Sequence, residues 1–408
     1  MEQQIYVRRS IEVALAKLVD SFPAVAVVGA RQTGKSTLLR EAFPAYRYVT
    51  FDDPMVAQRA TDDPKLFLES VGDRAIFDEI QHVPALTSYL KVRIDADRGR
   101  NGRFILTGSQ QFAMMKGLGD SLAGRVALLE LPCFSVAELR SSGEPFVSMG
   151  AREMFVRSCL RGCYPQPALD SKLPAPQWYG AYVRTYLERD VRGLHNIGGL
   201  HDFQRFMQLL AARCAQTLNM SAIAAGCGVA VNTVKSWLSV LEAGHVVTLL
   251  QPYWPNLGKR VIKSPKVYFG DCGLVCHLAG IADEQYVMQG PLAGPLFENY
   301  CVMETLKVFA AHGQRAPVYF VRTSNQLEVD LLIEHAYQDV TPVEVKLTAS
   351  PRTEMAAPVR QLRGIFAGLR MRDAHLVCLA DLPGTLSPDM RIDTVDSYLE
   401  WLGSQAPQ

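Results

Sequence analysis

Five short apolar runs mark the first third of the chain: residues 24–28 (AVAVV), 46–51 (YRYVTF), 75–77 (AIF), 103–108 (RFILTG) and 125–132 (RVALLELP). Unbroken runs of this length suit strands buried on both faces, because helices cover the two sides of a parallel sheet. Between them apolar residues recur at helical spacing, as in TLLREAF at 37–43. The alternation predicts an α/β fold, a doubly wound parallel sheet of five strands with its ligand at their carboxyl ends. After a Gly- and Pro-bearing stretch near residue 145 the period becomes helical, with charges on solvated faces as in TYLERDVRGL (185–194). Residues 217–250 predict two short helices about a glycine turn, the second capped by Asn232, and then a strand. That rhythm is winged-helix-like. From residue 319 the period drops to two: 319–324 and 327–334 read as a hairpin and 341–348 as a third strand, behind a helix beginning near Phe297. The expected domains are a parallel-sheet domain at 1–145, a helical and winged-helix-like middle at 146–285, and an α/β domain at 286–408.

Composition narrows the setting. At 408 residues the chain exceeds one ordinary core. Its 48% hydrophobic and 20% charged content is that of a soluble globular protein. No apolar run nears the roughly 18 residues that span a bilayer, and the opening MEQQIYVRRS lacks the apolar core of a secretory signal. Nine cysteines without a CxxC pair fit reduced thiols, so a cytoplasmic location with no membrane contact is expected. A net charge of +1 excludes a global pull on nucleic acid. Any such contact is local, and Lys259, Arg260, Lys263 and Lys266 form a basic stretch that reads either as a phosphate-gripping wing or as a solvated hairpin.

The run at 24–28 leads directly into Gly29-Ala30-Arg31-Gln32-Thr33-Gly34-Lys35-Ser36 and then Thr37, a full match to G-x-x-x-x-G-K-[ST]. Glycines let the backbone curl so that successive N–H groups face phosphate oxygens. The helix opening at Lys35 adds its positive end. Lys35 can then reach the outer phosphates and the Ser36 hydroxyl can ligate magnesium, which makes 29–37 the candidate nucleotide-binding set. A second acid for the metal is expected at the end of a neighbouring strand. Asp78 supplies it, with Glu79 beside it to orient or deprotonate the attacking water. A third run ends in two hydroxyls, Thr107 and Ser109, as candidates to position the same water, with Ser109 preferred.

Together GARQTGKST, IFDEIQ, LTGSQQF and SLAGRVALLELPCFS resemble the bacterial and archaeal AAA+-type ATPases that carry a C-terminal domain of unknown function, the AAA_14/DUF4143 family. KRVIKSPKVYFGDCGLVCHLAGI extends the resemblance over most of the chain. The resemblance implies an ATPase with ATP and Mg2+ as cofactors, a Walker A motif at 29–36, a Walker B pair at Asp78 and Glu79, and a sensor in LTGS. It also places Arg125 where such ATPases present an arginine to the γ-phosphate, from the same subunit or a neighbour in a homo-oligomer; a surface ion pair is the competing reading. Arg31 is either a further cation near the phosphates or solvent-facing. The preference for ATP over GTP rests on the likeness alone.

Near the other end, Asp330 lies in one apolar run, and Glu344 and Lys346, two apart, share one face of the next. Two carboxylates can hold a divalent metal while a lysine ammonium stabilises developing charge, and Glu298 on the preceding helix offers a third acid. The pattern resembles the PD-(D/E)XK nuclease core, to which the family's C-terminal domain is commonly related. It implies metal ligands at Glu298, Asp330 and Glu344, catalysis by Asp330, Glu344 and Lys346, and DNA or RNA as the partner. Folds outlive their chemistry, so two readings stand: an ATPase that drives a nuclease-like module, or a nucleotide-switched regulator that binds DNA or protein and whose module is inactive.

Overall fold

The computed structural model describes residues 6–108, 122, 124–186, 200–253, 264–323, 325, 327–366 and 368–405. They divide into two compact units, one built on Met1–Glu144 with Ala243–His245 and Ala310–Gln314, the other on Pro145–Glu242, Val246–Phe309 and Arg315–Gln408.

In the first unit the five apolar runs are strands β1 (Ala24–Val28), β2 (Arg47–Thr50), β3 (Ala75–Asp78), β4 (Phe104–Gly108) and β5 (Val126–Glu130). All neighbours run parallel, in the order β2-β3-β4-β1-β5. Every residue of β1 is buried because both faces are covered. Ala24, Ala26 and Val28 join Phe77, Phe104 and Leu106 in one core layer. Val25 and Val27 join Leu38, Leu39 and Ile105 in the other, under helices α1 (Glu12–Ser21) and α2 (Lys35–Ala42). Burying each of these valines and leucines contributes about 1.5–3 kcal/mol. That layering fixes the carboxyl ends of β1, β3 and β4 side by side, and they carry the glycine loop, Asp78 and Thr107.

The second unit opens with helices. Met220–Cys227 and Val231–Ala243 meet at a bend of 104° around Gly228, whose φ of +73° ends the first helix. Asn219 caps that first helix, its side chain accepting from the Ala222 N–H. The second helix already begins at Val231, so Asn232 lies inside it and not at the expected cap position. β6 (Val247–Leu250) and β7 (Lys266–Phe269) then pair antiparallel. After the helix Ala293–Ala311 comes a mixed sheet. It is built from β8 (Val318–Arg322), β9 (Glu328–Ala336), β10 (Asp339–Val345), β11 (Arg370–Met371), β12 (Ala374–Cys378), β13 (Gly384–Ser387) and β14 (Met390–Thr394). Its order is β13-β14-β12-β10-β9-β8, with β11 on β10. The expected hairpin and third strand are β8, β9 and β10, antiparallel throughout, while β10, β12 and β14 run parallel. Among the described residues no single helix is long and apolar enough to cross a membrane.

Candidate nucleotide site and a second charged cluster

β1 delivers the chain into the glycine loop. At Gly29 a Cβ would lie 2.3 Å from the Leu131 carbonyl oxygen, so only glycine passes under that strand exit. Gly34 has a φ of +92° where α2 begins. The Thr33 hydroxyl donates to the Ala30 carbonyl at 2.9 Å and closes the loop on itself. Lys35 is only 5% exposed, and its Nζ donates to the Gly29 and Ala30 carbonyls at 3.0 and 2.9 Å. Burial lowers its pKa to about 8, although the carboxylates of Glu79 and Asp78 pull the other way. Arg31 is half-buried and Thr37 exposed.

The loop is braced from the N-terminal segment by a residue that sequence reasoning missed. Arg9 donates Nη1 to the Thr33 carbonyl at 2.8 Å and Nη2 to the Pro132 carbonyl at 2.7 Å. Its Nε lies 3.0 Å from Glu138, which is itself held by the capping box of the helix Val136–Ser141. Nothing in the local pattern around Arg9 signals these long-range partners.

At the end of β3, Asp78 accepts from the Ser36 hydroxyl at 2.8 Å and also from Tyr48 and Thr107. Tyr48 lies beneath the Arg40 guanidinium at 3.9 Å. Its pKa is raised, first by burial and then by the bond to Asp78. Glu79 has a φ of +57°, a left-handed backbone that costs a non-glycine residue on the order of 1–3 kcal/mol and that clusters at active sites. Its N–H donates to the Thr107 hydroxyl at 3.4 Å, and the Gln81 amide donates to its carboxylate. Thr107 thus touches both acids, whereas Ser109 lies outside the described residues. Arg125 forms a two-pronged ion pair with Asp95, at 2.8 and 2.9 Å.

In the second unit the residues picked from the sequence do meet. The Lys346 Nζ lies 2.9 Å from Glu344 and 3.5 Å from Asp330, and the Val345 N–H donates to Asp330 at 3.0 Å. Lys266 enters the same cluster from the start of β7. It is fully buried, with its Nζ at 2.8 Å from Glu298, 2.5 Å from Glu328 and 3.7 Å from Asp330. Tyr268, two residues on and therefore on the same strand face, donates to Glu298 at 2.6 Å. Arg322 lies 3.3 Å from Glu328. Burial, followed by the charge of Asp330, raises the pKa of Glu298 and Glu344. Burial alone would lower that of Lys266, but the carboxylates of Glu298, Asp330 and Glu328 override it and raise it.

Lys266 therefore belongs to this interior cluster and not to a surface wing; Lys259, Arg260 and Lys263 lie outside the described residues. Among the described residues no group of three or more His, Cys, Asp or Glu is arranged to hold a metal ion. Glu298, Asp330 and Glu344 gather around ammonium groups where a metal-ligand set was expected.

Residues 21–140 match the family described as AAA domain. Residues 152–285 match a domain of unknown function (DUF8612) and 293–383 another (DUF4143). Two relatives, the uncharacterized proteins Mb2031c of Mycobacterium bovis and Rv2008c of Mycobacterium tuberculosis, are each 31% identical over 372 residues, covering 91% of this chain and 79% of theirs. Among solved structures, the Walker-type ATPase paby2304 of Pyrococcus abyssi is 14% identical, covering 68% of this chain and 97% of that one with a TM-score of 0.45.

Proposed function

Because the chain belongs to the family of P-loop ATPases that join an AAA domain to a C-terminal DUF4143 domain, we propose that it is an Mg2+-dependent ATPase whose nucleotide state governs its second unit. The observation that carries this reading is the 2.8 Å bond between Ser36 and Asp78, which joins the two halves of the phosphate grip at the mouth of the glycine loop. A hydroxyl and a carboxylate are the hard oxygen donors that suit magnesium. The space denied to a side chain at Gly29 supports a loop whose backbone approaches phosphate closely. When bound, magnesium supplies charge neutralisation at the phosphate oxygens.

The chain's own residues do the rest. Lys35 trades the Gly29 and Ala30 carbonyls for phosphate oxygens. The loop N–H groups hold the remaining oxygens, while Ser36 and Asp78 would hold the metal. Glu79 orients the attacking water and takes its proton, steadied by Thr107. Arg125 completes the clamp on release from Asp95, in its own subunit or in that of a neighbour in a homo-oligomer. ATP over GTP and a cytoplasmic location remain part of this reading on the family likeness and composition.

For the second unit, the buried Lys266 favours the regulator reading over the nuclease one. The pair of helices bent at Gly228, followed by β6 and β7, supports a winged-helix-like module that binds DNA or protein as the nucleotide state changes. The test is ATP hydrolysis measured with and without Mg2+, DNA and RNA while the polynucleotide is watched for breaks. Mg2+-dependent hydrolysis with the polynucleotide left intact is expected. Cleavage that Lys346→Ala abolishes would restore the nuclease reading, and absence of hydrolysis under every condition would remove the ATPase.

A further inference from the structure

The carboxylates in the second unit are already supplied with a cation. An ammonium group has three protons to donate. Glu298 and Glu328 lie at 2.8 and 2.5 Å from that of Lys266, with Asp330 at 3.7 Å. The strand that carries it is tied on both sides: β7 pairs with β6, Lys266 bridges Thr217, and the Leu218 N–H donates to the Pro265 carbonyl at 2.8 Å. Beside the lysine lies the Phe320 ring, 5.5 Å from Nζ to its centroid. To leave the carboxylates, the ammonium would have to move into such apolar surroundings without partners, which costs far more than a buried neutral group does.

Charge balance agrees with position. Lys266, Lys346 and Arg322 face Glu298, Glu328, Asp330 and Glu344, so three cations already oppose four carboxylates. A divalent ion would over-neutralise the cluster. Magnesium also demands oxygens at about 2.0–2.1 Å in octahedral order, and the oxygens it would need are those on which the ammonium sits.

We propose that Lys266 is the resident cation of this cluster, standing where a nuclease of this sequence pattern holds a divalent ion, so that the second unit binds none. The proposal rests on the reading of that unit as an inactive relative of the nuclease pattern. It does not depend on nucleotide hydrolysis in the first unit. Lys266 and Tyr268 act instead as a fixed internal clamp that fastens β7 to the helix bearing Glu298 and to β9.

The experiment titrates Mn2+ into the nucleotide-free full chain and follows it by electron paramagnetic resonance. Wild type and Asp330→Asn are expected to bind Mn2+ indistinguishably, because the cluster contributes no site. One equivalent of Mn2+ held by wild type and lost in Asp330→Asn would overturn the proposal. That comparison stands even if lysine variants fail to fold. Where Lys266→Gln does fold, Mn2+ is expected to raise its melting temperature but not that of wild type, and a further Asp330→Asn change to cancel the rise. An equal rise in wild type, cancelled by Asp330→Asn, would again overturn it. Because no nucleotide is present, failure here and failure of the ATPase reading are separate results.

Discussion

Glu79→Gln should leave ATP binding unchanged and slow its hydrolysis by about 10²–10⁴-fold, the range over which a positioned general base contributes. The substitution keeps the length and shape of the side chain and removes only its ability to take a proton. It also keeps the neighbouring contacts, since the backbone N–H that meets Thr107 is untouched and an amide oxygen can still accept from Gln81. The left-handed backbone at φ +57° is kept as well, so the glutamine should occupy the same place. None of the residues that grip phosphate changes. Affinity measured by titration and turnover measured under saturating ATP therefore separate cleanly. Equal turnover in the variant would strip Glu79 of its role and pass it to another group near Thr107.

The second large effect is on stability. Lys266→Met should destabilise the fold by about 3–5 kcal/mol, as when one partner of a buried ion pair is removed and the other stays. Glu298 would lose its closest cation, while Glu328 and Asp330 would keep only Arg322 and Lys346, and the vacated position is fully buried. Lys346→Ala should cost much less, because that side chain is 38% exposed. The pH dependence follows from the raised carboxylates. Burial lifts Glu298 and Glu344 above their ordinary 4.5, so the folded chain holds protons that the unfolded chain releases. That contribution favours folding at low pH and fades as pH rises through the raised values. Without Lys266 the acids shift up further, so the penalty should shrink on acidification. Denaturant unfolding at several pH values measures it. A loss below about 1 kcal/mol at neutral pH, the net worth of an ordinary hydrogen bond, would mean the cluster needs no cation.

Local pattern made the first unit legible. A run such as AVAVV suits a strand buried on both sides, as in a covered parallel sheet, and the glycine loop follows it without a gap, so β1, the loop and α2 read as one unit. Asp78 at the end of β3, Glu79 just past it and the hydroxyl at Thr107 likewise sit where strand ends must converge. Pattern fails where the partner is distant. Period two places Lys266 and Tyr268 on one face of β7, yet gives no hint that this face meets Glu298. Beside Lys259, Arg260 and Lys263 in sequence, Lys266 reads as part of one basic stretch, whether wing or solvated hairpin. Arg9 and Tyr48 are the same case, single residues whose partners lie far away in sequence. At Asn232 the difference is one of boundary: the helix starts one residue earlier, at Val231.

The central claim is that the loop at 29–36 holds a triphosphate through Lys35, and one titration addresses it. ATP with Mg2+ is added to wild type and to Lys35→Ala by calorimetry near pH 8, in two buffers of different ionisation enthalpy. Burial lowers the Lys35 pKa to about 8, so near that pH part of it is neutral in the free chain; a bound triphosphate favours the ammonium, so proton uptake is expected. Wild type should bind one equivalent with buffer-dependent heat that reports proton uptake, while Lys35→Ala should show neither. Wild type that evolves no binding heat, or a variant that matches it in affinity and proton uptake, would contradict the assignment of this loop.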